Sequence, residues 1–275
     1  MKKKNFIHFI ILATLLLMTA CTPKATTSSK EIEVIETEVE AETDNSTPVW
    51  SYKGENGPDQ WANVDSSFAD CADGTEQSPI DIELANVKVD KSAAEVDINY
   101  SPTAFTLMNN THTIQANDGS EKNTITVDGE EYTLVQMHFH KPSEHQLDGQ
   151  AFEMEGHLVH QNDEGELAVL GFLMSEGKEN QVLAEMWSKL PEEETDEDVP
   201  LDKAVDLENF LPEDKSFLRY NGSLTTPACS EGVSWILLEK PIEMSREQID
   251  AFGSIFPHNS RPVQPINERE VTKTE

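Results

Sequence analysis

Basic residues are scarce in this chain. It carries 20 lysines and arginines against 52 aspartates and glutamates, a formal charge of −32. A surface of that sign repels phosphate, which excludes a nucleic-acid partner. Cysteine is scarce too, with 3 in 275 residues. The apolar run from Phe6 to Met18 falls short of the about 20 residues a stable membrane span needs. No G-x-S-x-G turn occurs, which leaves no serine-nucleophile elbow. There is no internal repeat and no second domain boundary. What remains is 37% apolar residues, enough for one sizeable core.

The N-terminus stands apart. Lys2, Lys3 and Lys4 precede the apolar run, small residues follow, and Cys21 comes next. That order reads as an export signal over residues 1–20. LLMTAC (16–21) resembles a bacterial lipobox, which implies a lipid on Cys21 and attachment to a bacterial membrane or cell surface through that lipid alone. An ordinary signal with a bystander cysteine is the other reading. Residues 21–47 are rich in Thr, Ser and Glu and lack aromatics, so a disordered tether is expected. A domain over 48–270 and a flexible tail over 271–275 complete the layout. Export favours disulfides. With Cys21 set aside, Cys71 and Cys229 suffice for one bridge; two buried free thiols are the alternative.

The domain reads as short strands between turn signals. NTITVDGEEYTLVQMHFH (123–140) is two strands joined at Asp128-Gly129, a hairpin dipeptide. Strands are also expected at 151–161, 166–174 and 233–242. One helix is expected at about 178–190, from Val182, Leu183, Met186, Trp187 and Leu190. Another starts after Ser245, with Gln248 completing a capping box. The fold class is mainly β, with a few peripheral helices.

The histidines carry the chemistry. His138 and His140, two apart in an apparent strand, share a face, and Gln136 lies on it too. On the next strand Glu155, His157 and Val159 share a face and His160 takes the other. If these strands pair antiparallel, His157 completes a three-imidazole cluster. Such a cluster suits zinc and leaves a fourth position for water. Glu155 and Gln136 could accept the second ring N–H of His157 and His138. Three core histidines satisfied by hydrogen bonds remain the alternative on spacing alone.

QMHFHKPSEH (136–145), EGHLVH (155–160), LAVLGF (167–172) and GSLTTPACSEGVSW (222–235), with WSYKGENGPDQW (50–61), QSPIDI (77–82) and HNSRPVQP (258–265), closely resemble the α-class carbonic anhydrases, in the order that family shows. The resemblance implies that family's fold, a large twisted, mostly antiparallel sheet. It implies Zn²⁺ on His138, His140 and His157, and reversible hydration of carbon dioxide to bicarbonate by zinc-activated water. It makes Thr225 and Glu144 the pair that orients the attacking group, and Asn259 the acceptor for His140. Val159, Val169, Leu224, Thr226, Val233 and Trp235 become the substrate pocket. His112 becomes the proton shuttle, with Tyr52, Asn110 and Gln115 ordering its waters. Thr111 stands where the family commonly has Gly. Cys71 and Cys229 match a bridge of exported members. His145, His160 and His258 read as structural or surface residues. Three alternatives stay open: a non-catalytic binding module of the same fold, a zinc esterase, and a structural surface protein.

Overall fold

The computed structural model describes residues 49–91, 96–212 and 215–274. The expected export signal, Cys21 and the expected tether lie outside the described residues. The strands are β1 (Asp81–Ile82), β2 (Lys88–Val89), β3 (Asp97–Asn99), β4 (Thr106–Asn109), β5 (Ile114–Asn117), β6 (Thr124–Val127), β7 (Glu130–His140), β8 (Gln146–Leu147), β9 (Met154–Gln161), β10 (Leu167–Glu176), β11 (Val199–Pro200), β12 (Phe217–Ser223), β13 (Glu231–Met244) and β14 (Thr272–Lys273). Twelve of them form one sheet in the order β11-β4-β5-β7-β9-β10-β13-β12-β14-β2, with β6 also pairing β7 and β3 pairing β6. Its ladders are antiparallel except β10–β13 and β14–β2. The mainly β reading holds.

The hairpin of β6 and β7 forms where Asp128-Gly129 predicts it. Both residues have positive φ, 54° and 88°, the left-handed pair a two-residue turn needs to match strand twist. Asp tolerates that region and Gly is free in it. β7 is then long enough to carry His138 and His140 alongside β9. Alternation along β9, β10 and β13 sends one set of side chains into a large cluster with Phe139, Phe172, Ile236 and Phe252. The other set, Val159, Val169, Val233 and Trp235, packs in a smaller cluster on the face of the metal-ligand candidates. Gly156 sits between these demands: a Cβ there would lie 2.2 Å from the Phe172 ring.

The second helix is as expected. α5 (Arg246–Ile255) opens on a capping box in which Ser245 and Gln248 bond each other's backbone N–H. The first is far shorter than 178–190. Besides three one-turn helices, α1 (Trp61–Val64), α2 (Asp70–Asp73) and α4 (Leu207–Phe210), the chain has only α3 (Ala184–Trp187) there among the described residues. Asn180 Oδ1 accepts the Leu183 N–H and the Asn180 N–H goes to Gln248. These side-chain bonds hold the segment in a turn. The apolar spacing marked burial, which Leu183, Met186 and Trp187 show, rather than helix length.

The end of the chain is also corrected. Residues 271–274 do not form a flexible tail. Val271 is buried, and Thr272–Lys273 pairs β12 on one side and β2 on the other. Without it, the outer edge of β12 would present unpaired backbone groups.

Candidate metal centre and active site

β7 and β9 pair antiparallel with His138 directly opposite His157, so the three expected imidazoles meet. One ligand nitrogen from each of His138, His140 and His157 lies within 4.8 Å of the others. Each ring has its second nitrogen committed elsewhere. His138 Nδ1 is 2.8 Å from Gln136 Oε1, His140 Nδ1 is 2.8 Å from the Asn259 carbonyl, and His157 Nε2 is 2.8 Å from Glu155 Oε1. The nitrogens turned toward one another are His138 Nε2, His140 Nε2 and His157 Nδ1, the first and last 3.2 Å apart. His140 Nε2 is buried with no hydrogen-bond partner, an arrangement that costs about 1–3 kcal/mol if nothing occupies it.

Burial lowers the pKa of all three rings, His140 to about 4 and His138 well below its ordinary value, with the neighbouring His140 and His157 adding to the effect on His138. The rings are therefore neutral, with lone pairs to offer. Three neutral imidazoles, each aimed by an oxygen acceptor behind it, fit a borderline-soft divalent ion such as zinc.

Glu155 does more than sequence reasoning assigned to it. Its Oε1 accepts from His157 and from His145 Nδ1, and its Oε2 accepts the backbone N–H of Glu144 and of His145. Burial pushes its pKa up, but His145 and His157 outweigh that and hold the carboxyl well below its usual range. His145 continues the chain: its Nε2 accepts from the Tyr220 hydroxyl at 2.6 Å, which accepts in turn from Ser78 Oγ at 2.8 Å. His145 is structural, as expected, but it braces a metal-ligand candidate. No periodicity in HKPSEH signals that contact.

Glu144 is buried. Its Oε1 accepts the Arg261 backbone N–H at 2.8 Å, while Oε2 finds no hydrogen bond of good geometry. Burial raises its pKa to about 7, partly countered by the neighbouring His157 ring, the Arg261 N–H and the nearby Thr225 hydroxyl, while Glu155 adds to the rise. Thr225 and Glu144 are thus side by side. Val159, Val169, Val233 and Trp235 share one apolar cluster, with half-buried Leu224 packed on it. The Trp235 indole stands edge-on to His157, ring centres 4.9 Å apart. Thr226 lies outside that cluster, in a turn where its carbonyl accepts the Cys229 N–H. Cys71 and Cys229 form a disulfide, which ties that turn to α2.

His112 occupies the turn between β4 and β5. It is half-buried, and this lowers its pKa. Its ring stacks on Trp50 at 3.6 Å and 5°, a contact sequence reasoning missed because the two residues lie far apart in the chain. Asn110 uses its side-chain oxygen to accept the backbone N–H of His112 and Thr113. Gln115 pairs in register with His138 and donates to Asn117. Tyr52 packs edge-on against Trp50. Its phenol is raised well above the ordinary value by burial, with Glu144 adding to the shift. Thr111 has φ +70°, a left-handed conformation.

Residues 56–275 match the eukaryotic-type carbonic anhydrase family. A carbonic anhydrase of Nostoc sp. is 42% identical over 226 residues, covering 81% of this chain and 84% of that protein. One of Klebsiella pneumoniae is 42% identical over 224 residues, 81% of this chain and 89% of its own length. The solved α-carbonic anhydrase of Thermovibrio ammonificans, in complex with the inhibitor sulfanilamide, superposes with a TM-score of 0.79 at 41% identity, over 82% of this chain and 99% of that one. With its sheet, its converging histidines and these relatives in agreement, the chain belongs to the eukaryotic-type, α-class family of carbonic anhydrases.

Proposed function

We propose that this protein catalyses the reversible hydration of carbon dioxide to bicarbonate and a proton, with zinc held by His138, His140 and His157. The observation that carries the reading is the buried, unpartnered Nε2 of His140 within 4.8 Å of the ligand nitrogens of two more neutral imidazoles, His138 and His157. Zinc supplies a Lewis acid that lowers the pKa of water to about 7, the value established for carbonic anhydrases as a class.

The protein's own groups divide the remaining tasks. Gln136, Glu155 and the Asn259 carbonyl hold the rings in orientation. The Thr225 hydroxyl donates toward Glu144, so its lone pairs face the site and favour a group that brings a proton to share. Val159, Val169, Leu224, Val233 and Trp235 offer an apolar wall to a small apolar substrate, and Thr226 extends its rim. His112 takes up the proton released at each turnover and passes it to buffer. Tyr52, Asn110 and Gln115 order the water between.

The Cys71–Cys229 bridge supports an oxidising, extracytosolic compartment, and we extend this to a lipid anchor on Cys21. Labelled fatty acid should enter the wild type and not Cys21→Ser. The catalytic reading is tested by carbon dioxide hydration with the full chain, zinc-loaded and after chelation. Activity should vanish with the metal and return with zinc; equal rates before and after stripping would refute it.

A further inference from the structure

We propose that the side chain of Asn259 positions His112 relative to the metal ligands. The role rests on His112 as the proton relay and goes beyond the Asn259 main-chain contact with His140.

Asn259 is 1% exposed, and every polar group it has is engaged. Its carbonyl accepts His140 Nδ1 at 2.8 Å and its N–H donates to the Lys141 carbonyl at 3.0 Å. Its side-chain Nδ2 donates to two carbonyls, His112 at 3.0 Å and Phe139 at 2.9 Å. Its Oδ1 accepts the Lys141 N–H at 2.8 Å. Two carbonyls on one side and one N–H on the other fix which atom of the amide is nitrogen. Among protein side chains of this size, only a primary amide offers two donors and an acceptor in that fork.

One residue therefore grips β7 through His140, Lys141 and Phe139, and holds the turn of the relay histidine at its own carbonyl. The turn has a second tie to β7 at the next residue, Thr113, but the Asn259 amide bonds the carbonyl of His112 itself. Asn110 bonds within the turn, Thr113 Oγ1 donates to the Phe139 carbonyl and accepts the Phe139 N–H, and Trp50 stacks on the His112 ring. Removing the amide releases the His112 carbonyl, leaving Thr113 as the remaining tie of the turn to β7, and keeps the main-chain acceptor of His140 in place. A 1 Å misplacement can cost up to about 10²-fold in rate, and proton transfer through a short water path is subject to the same geometry.

The test uses full-length, zinc-loaded Asn259→Ala and Asn259→Asp. The aspartate is nearly isosteric and answers the question should the alanine variant not fold. It keeps the acceptor for Lys141 but cannot donate to His112. In weak buffer kcat should fall about tenfold, within the range such misplacement allows. kcat/KM for carbon dioxide should stay within twofold, imidazole should restore kcat, and zinc should remain at one per chain. Independently of activity, the NMR order parameter of the His112 amide should drop from about 0.85 to below about 0.6. Loss of kcat and kcat/KM in parallel, loss of zinc, or an unchanged order parameter would overturn the proposal. His112→Ala in the same assay separates the two readings. If it shows no buffer-dependent defect, the relay assignment itself fails. If it shows one and the Asn259 variants do not, only the positioning role fails.

Discussion

His157 and His160 sit three residues apart on one strand, both buried and both with a pKa lowered mainly by that burial. They face opposite sides of the sheet. His160 has both nitrogens occupied: Nε2 accepts from the Tyr100 hydroxyl at 2.9 Å and Nδ1 donates to the Ala168 carbonyl at 3.3 Å. His157 has one nitrogen on Glu155 and the other turned toward His138. Burial and pKa therefore do not separate a ligand from a structural histidine. What separates them is the second nitrogen: His160 gives both to a hydroxyl and a carbonyl, whereas His157 Nδ1 meets only the ligand nitrogen of another imidazole, at 3.2 Å, and a closed hydrogen-bond inventory has nothing to offer an ion.

The strongest way to break that comparison is to remove one ring from each face. His140→Ala should lose zinc and hydration activity together, while His160→Phe should keep both at reduced stability. Elemental analysis beside a hydration assay checks this; full zinc occupancy in His140→Ala would end the ligand assignment. A smaller effect is expected one contact out. Glu155→Ala strips the acceptor from His157 and His145 at once, so zinc affinity measured by chelator competition should fall about 10–100-fold. A variant that binds zinc as tightly as the wild type would show that the ring needs no brace.

The opposite face makes its own prediction, read in pH. His160 is held at about 4 by burial, against about 6.5 in an unfolded chain. Between those values the unfolded state binds the extra proton, so this contribution is complete above about 6.5 and is lost as pH falls toward 4. At pH 5 the loss is about 2 kcal/mol on the linkage relation. Urea unfolding at pH 7.5 and pH 5 should show His160→Phe losing less stability on acidification than the wild type, by about that amount. Equal losses in both proteins would mean that His160 does not titrate in this window.

The legible parts of this molecule are those written in local pattern. Alternation through QMHFH and EGHLVH, with Asp128-Gly129 upstream, put three imidazoles on one face, and Ser245 with Gln248 marked where α5 begins. The parts that were not legible depend on contacts distant in sequence. Trp50 on His112, Asn259 on His112, and His145 linking Glu155 to Tyr220 leave no periodic trace. β14 was missed because two polar residues carry no alternation, and their strand exists only because β12 and β2 flank them. The 178–190 helix was overread because burial at helical spacing does not require a helix when Asn180 and Gln248 can bond the backbone instead.

His112 belongs to neither histidine group, being half-buried and stacked, and its neighbour gives the gentlest test. Thr111 is an exposed β-branched residue at φ +70°, a conformation that costs about 1–2 kcal/mol for a residue with a side chain. Glycine removes that cost but adds about 0.5–1 kcal/mol of unfolded-state entropy. Thr111→Gly should therefore raise stability by about 0.5–1 kcal/mol on balance, read as a higher midpoint in urea. Because Asn259 still grips the His112 carbonyl, kcat should stay within twofold of the wild type. A fall in kcat matching that of Asn259→Ala would shift the rigidity of the relay from the amide behind His112 to the strained residue before it.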